Sequence, residues 1–172
     1  MAEAVALEFE SPAGEALRFE WTPEAFAAID PAGPAPEPVW TLAGELDWDE
    51  IDAVRVVSAR LDDGRLLAIA ALRPAGAAGH GEELVAGAIG DGESFAQLEQ
   101  ALLSTEHGPD GRPRRVGLEL YSAEDGLALR IAGDVTSVSG FSNGGVERLG
   151  AALELRGAGS TGAGAYDTLA RA

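Results

Sequence analysis

The sequence predicts an all-β, mainly antiparallel fold: a β-barrel or strongly curved sandwich with one amphipathic helix packed on it. Two observations carry most of that expectation. Val116, Leu118 and Leu120 alternate with Gly117, Glu119 and Tyr121, and after Ser-Ala-Glu-Asp-Gly the residues Leu127, Leu129, Ile131 and Val135 repeat the pattern against Ala128, Arg130 and Asp134. Period-2 alternation on both sides of an Asp-Gly turn is a strong hairpin signal. Turn signals then recur along the chain at the spacing of an antiparallel sandwich or barrel, which by that rule holds about eight to ten strands here.

Taken in order, Val5, Leu7 and Phe9 alternate with glutamates and alanine, and Leu17, Phe19 and Trp21 do the same after Ser11-Pro12-Ala13-Gly14. That pair reads as a hairpin. Thr22-Pro23-Glu24 is a helix start, with Thr22 as cap and proline in the first turn, so a short helix is expected over 22–30. Residues 31–38 form a Pro/Ala/Gly loop. Trp40, Leu42, Leu46 and Trp48 at even spacing predict a strand over 39–48. The runs 53–61 and 65–72 flank Asp62-Asp63-Gly64 as another hairpin, and both are apolar on both faces, as expected of central strands covered on two sides. A loop over 74–81 precedes a strand at 84–89. Ser94 with Gln97 resembles a capping box, Phe95, Leu98 and Leu102 form a stripe, and Gly108 is a stop signal, so 94–107 is expected to be the amphipathic helix. Residues 149–156 alternate as a strand, 157–164 read as a Gly-rich loop, and 165–170 as a closing strand. At 172 residues the chain suits a single β domain over 1–172.

Composition excludes several classes of function. A net charge of −17 repels phosphate backbones and anionic lipid, and the densest cationic group is only Arg112, Arg114 and Arg115, so nucleic acid and membrane surfaces are not expected partners. The chain has no cysteine and no lysine, which removes disulfides, thiolate ligands, Schiff-base chemistry and the phosphate-loop lysine. Biased codon usage or salt adaptation accounts for such an acidic, Lys-free composition. No basic n-region with an apolar h-region opens the sequence and no run is long enough to cross a bilayer, so the expected location is cytoplasmic.

Candidate chemistry is sparse. Gly157-Ala158-Gly159-Ser160-Thr161-Gly162-Ala163-Gly164 lacks both the Gly-Lys-Ser/Thr ending of a phosphate loop and the βαβ context of a dinucleotide fingerprint, and reads as a loop between strands. His80, Glu82 and Glu83 sit close in sequence, but a metal needs three or four convergent ligands, and a solvated loop is expected. Asp47, Asp49, Glu50 and Asp52 form a charge run between strands, expected to be a solvated turn. Neither a metal nor a cofactor is expected. The large aromatics Trp21, Trp40, Trp48, Tyr121 and Tyr166 are the candidate ligand-contacting residues: in a closed barrel, inward-facing aromatics line whatever cavity remains, and otherwise they are core.

Several stretches resemble the lipocalin-like bacterial proteins grouped with the AttH and carotenoid 1,2-hydratase families. They are Asp47-Trp48-Asp49, Ala59-Arg60-Leu61-Asp62-Asp63-Gly64-Arg65, Asp110-Gly111-Arg112-Pro113 and Thr161-Gly162-Ala163-Gly164-Ala165-Tyr166-Asp167. The resemblance implies a lipocalin-like barrel, single here where the family has two, and carries over no catalytic residue. The function it leads to is binding of a small apolar ligand (lipid, terpenoid or polyketide-like) in the barrel. Two alternatives stay open: a hydratase, isomerase or cyclase acting on such a ligand through Glu119, Tyr121, Tyr166 or Asp167, and a pocketless regulatory protein. A homodimer is also left open.

Overall fold

Alternating apolar residues leave each strand with a side to bury, and the chain solves this with two stacked sheets. The computed structural model describes residues 4–10, 16–30, 33, 37–77, 83–122 and 126–171. Among them the elements are β1 (Val5–Glu10), β2 (Ala16–Trp21), α1 (Pro23–Ala27), β3 (Trp40–Ala43), β4 (Ile51–Leu61), β5 (Leu66–Pro74), β6 (Leu84–Gly90), β7 (Phe95–Gln97), β8 (Gln100–His107), β9 (Pro113–Ser122), β10 (Leu127–Asn143), β11 (Val146–Gly157) and β12 (Ser160–Arg171). All strand pairs are antiparallel.

β1, β2 and β3 form a three-stranded sheet, and the other nine strands form one sheet in the order β7-β6-β5-β4-β12-β11-β10-β9-β8. The two edges of this sheet, β7 and β8, are consecutive in the chain. At the corner between them the Leu98 N–H donates to the Gly87 carbonyl of β6, and the Glu99 N–H donates to the Tyr121 carbonyl of β9. The sheet is therefore strongly curled, and a single bent strand hands the chain from one edge to the other. This is the all-β, barrel-like architecture expected from the turn spacing.

The expected hairpins are present with small changes of boundary: β1–β2, β4–β5 around Asp62–Gly64, and β9–β10. Of the turns, Ser11–Gly14 and Ala123–Asp125 lie outside the described residues; Gly126 has φ +60°. The double coverage expected of β4 and β5 is also observed. Val57, Ala59, Leu67 and Ile69 face the concave interior, whereas Val54, Val56, Ala68 and Ala70 face the small sheet and α1.

Four expectations need correction. Residues 94–107 are not a helix but β7 and β8, because Ala101 and Leu103 are buried on one side while Leu102 is 49% exposed on the other. The unpaired edge of β9 takes up this segment along Gln100–His107. Ser94 does not cap a helix; its N–H and that of Glu93 donate to Asp91 Oδ1 in a tight turn. The short helix spans only Pro23–Ala27, and the strand expected over 39–48 is limited to Trp40–Ala43. The Gly-rich run is a turn only at Ala158–Gly159; from Ser160 onward it is strand β12, where Gly162 lets the Arg60 carbonyl approach to 2.2 Å from where a Cβ would stand.

Candidate functional site

The five candidate aromatics do not converge. Trp21 and Trp40 are buried between the small sheet and the convex face of the curled sheet, with Trp48 packed partly buried against the same cluster. Their polar edges are used in place: Trp21 Nε1 donates to Ser58 Oγ at 2.7 Å, and Trp40 Nε1 donates to Asp167 Oδ2 at 2.9 Å. Tyr121 is 42% exposed on the convex face of β9, beside Glu119, whose carboxylate pairs with Arg130 at 2.8 Å. Tyr166 alone lies inside the curl, fully buried.

Asp167 follows Tyr166 on β12 and points the opposite way. Its second oxygen accepts from Arg148 at 3.0 Å, and Arg148 also reaches Glu37 at 3.3 Å. Burial pushes the Asp167 carboxyl above its ordinary range, opposed by the Trp40 and Arg148 hydrogen bonds. This cluster ties β3 to β11 and β12 and has the geometry of a structural clasp.

Large side chains fill most of the concave interior: Leu61, Leu67, Ile69, Leu118, Ile131 and Leu155 are all essentially inaccessible. One opening of about 510 Å³ lies against Leu102, Glu119, Tyr121 and Arg130, and two more at the perimeter of the curl join apolar walls to charged groups. The first of these two is at the end of the curl where the β4–β5 and β6–β7 turns meet. A cavity of about 370 Å³ opens there, with an apolar wall of Ile89, Phe95, Ala96, Leu98, Leu120 and Leu129. Arg65 and Asp91 stand at its rim. Arg65 is held by Asp63 at 2.6 Å and donates to the Ala158 carbonyl, and the N–H groups of Glu93 and Ser94 hold Asp91 below the usual carboxylate range. The mouth thus joins a greasy wall to charges already fixed by the fold.

The second place is the seam between β6 and β8, past the Leu98–Gly87 hydrogen bond. A cleft of about 520 Å³ opens there, with Val85, Leu103 and Leu118 among its walls and Arg55 and Glu83 in its floor. Arg55 Nε and Nη2 donate to the two oxygens of Glu83 at 3.1 and 2.6 Å. Nη2 also reaches the Leu103 carbonyl at 2.9 Å, and Nη1 reaches Thr105 Oγ1 at 3.0 Å. Thr105 Oγ1 in turn lies 2.8 Å from the Tyr166 hydroxyl. Arg55 therefore engages a carbonyl of β8, which is an edge strand among the described residues.

Sequence reasoning passed over Arg55, Thr105 and the mouth leucines. Arg55 carries a sequence signal, a lone guanidinium in Val54-Arg55-Val56-Val57, where apolar residues occupy both faces. His80 and Glu82 lie outside the described residues, and the Glu83 carboxylate is engaged by Arg55. Asp47, Asp49, Glu50 and Asp52 sit in and around a turn, where Asp47 Oδ1 accepts from the Asp49 N–H and Asp52 Oδ2 from the Gly76 N–H. No helix among the described residues is long and apolar enough to cross a membrane. Compared with known proteins, the chain matches no family model and no curated protein.

Proposed function

We propose that the protein binds a small apolar ligand at the open end of the curled sheet, without chemistry of its own. The observation that supports this reading is the mouth cavity: about 370 Å³ with six apolar side chains in its wall and charged groups at the rim. Ligand sites are generally of this size and kind, mostly apolar with a few placed polar groups. Eight-stranded barrels either fill their interior or hold one small ligand. Here the filled interior directs such a ligand to the rim rather than the centre. The ligand-contacting set becomes Ile89, Leu98, Leu120 and Leu129 in place of the tryptophans, with Tyr166 behind the packed layer. The curled sheet also supports the resemblance to lipocalin-like proteins of the AttH and carotenoid 1,2-hydratase kind at the level of fold.

The test is titration with N-phenyl-1-naphthylamine, an uncharged probe that fluoresces in apolar sites. Saturable binding is expected, weakened about tenfold or more by Leu129→Glu, since a desolvated carboxylate costs well over 1.4 kcal/mol. Leu102→Glu on the convex face is expected to leave it unchanged. Equal binding by all three proteins would refute the reading.

A further inference from the structure

The seam cleft is separate from the mouth, and its floor has a different chemistry. Inside a curl lined mainly by aliphatic side chains stands a guanidinium whose side chain is 9% exposed. Its partner, Glu83, is 2% exposed and lies just ahead of β6, outside the ladder that begins at the Leu72–Leu84 pair. A buried ion pair is a poor way to gain stability, because well-packed apolar groups of the same volume often serve equally well. It is a good way to hold a carboxylate-binding fork in position. The arginine fork matches a carboxylate through two parallel N–H···O bonds, and Glu83 occupies it in that manner. The remaining guanidinium nitrogen is braced by Thr105, itself within hydrogen-bond distance of Tyr166, so the fork stays oriented when its carboxylate changes.

We propose that Arg55 is the recognition group for a carboxylate-bearing aliphatic ligand, which enters the β6–β8 seam and displaces the Glu83 carboxylate, its internal surrogate. The tail lies against Val85, Leu103 and Leu118 while the head takes both Arg55 donors that Glu83 now holds. The exchange is charge-neutral at the fork, one carboxylate for another, and breaks no covalent bond. Long-range repulsion from the net charge of −17 slows the approach of such an anion. Added salt therefore speeds association, while the buried contact itself is little screened. This inference goes beyond the mouth reading and does not depend on it.

The test uses decanoate, with 1-decanol as its uncharged counterpart. Glu83→Gln removes the competing charge and is expected to bind decanoate at least about tenfold more tightly than the wild-type protein, about 1.4 kcal/mol. Decanol binding should stay unchanged, and the gain should vanish in Glu83→Gln/Arg55→Met. A folded Glu83→Gln variant with no gain, or a gain that survives in the double variant, overturns the proposal. Should Glu83→Gln fail to fold, the Arg55 Nε–H resonance of the wild-type protein decides. Movement with decanoate but not with decanol supports the site, and no movement with decanoate refutes it. Leu129→Glu, which blocks the mouth, is expected to leave the decanoate response intact, so the two sites succeed or fail separately.

Discussion

Several buried polar side chains in this protein pair with one another, and each pair predicts its own sensitivity. Tyr166 sits inside the curl with its hydroxyl on Thr105. Tyr166→Phe should therefore cost about 1 kcal/mol, the usual net worth of one such hydrogen bond, read as a lower denaturant midpoint. Tyr121 lies on the convex face with 42% exposure. Tyr121→Ala should fall within about 0.5 kcal/mol of the parent, as surface substitutions do; a loss of several kcal/mol would mean the ring is buried. Asp167 gives a pH signature. Its folded pKa is raised by burial above the unfolded value, so its contribution is fully present below the unfolded pKa and is lost as pH rises through the folded one. Stability curves of the parent and Asp167→Asn, measured across the acidic range and subtracted, should show the parent losing ground to the variant with rising pH. A flat difference would contradict the assignment. Sequence could place Tyr121 and Tyr166 on alternating strands but not name the buried face, because period 2 separates two faces without saying which is inside.

Segment 94–107 shows how one apolar pattern serves two periods. Phe95, Leu98 and Leu102 fit a helical stripe, while Ala101 and Leu103 fit alternation. The open edge of β9 decides between them, as tertiary pairing commonly does for strands. Adjacent leucines give the sharpest test. Leu103, 5% exposed and inward, should cost about 2–5 kcal/mol as Leu103→Ala. Leu102, 49% exposed, should cost under about 0.5 kcal/mol as Leu102→Ala. A helix with Leu102 on its buried stripe would reverse that order. β10 hides a second feature. Its register slips between Val135 and Ser137, so Thr136 is an extra residue whose hydroxyl donates to the Ala152 carbonyl. The slip lets Val135 and Val138 both pack on the inner cluster despite their odd spacing, and it bends the strand where it leaves β9 to follow β11 alone. At the β11–β12 corner Gly157 has φ +137°, and a Cβ there would stand 2.3 Å from the Arg130 carbonyl. Gly157→Ala must distort this corner, lowering the thermal midpoint without changing the strand content.

At the scale of the molecule, coverage on both sides of β4 and β5 was legible because their apolar residues occur on both phases of the alternation. The identity of the second layer was not. Nothing in Trp21, Trp40 or Trp48 says that β1–β3 fold over the outside of the curl rather than help to form it. That layer removes the tryptophans from the interior, and Ile89 of β6, Leu98 of the bent strand, Leu120 of β9 and Leu129 of β10 are left to shape the mouth. The mouth was illegible for a related reason: it depends on where β7 leaves β6, a position set by the Leu98 and Glu99 hydrogen bonds rather than by any motif.

The most direct measurement is an amide-resolved NMR titration of the protein with 1-decanol. Saturable shifts are expected, grouped at Ile89–Leu98 and around Leu120 and Leu129, with Trp21, Trp40 and their neighbours unmoved. Shifts centred on the tryptophan layer, or none at any concentration decanol can reach, would contradict binding at the mouth.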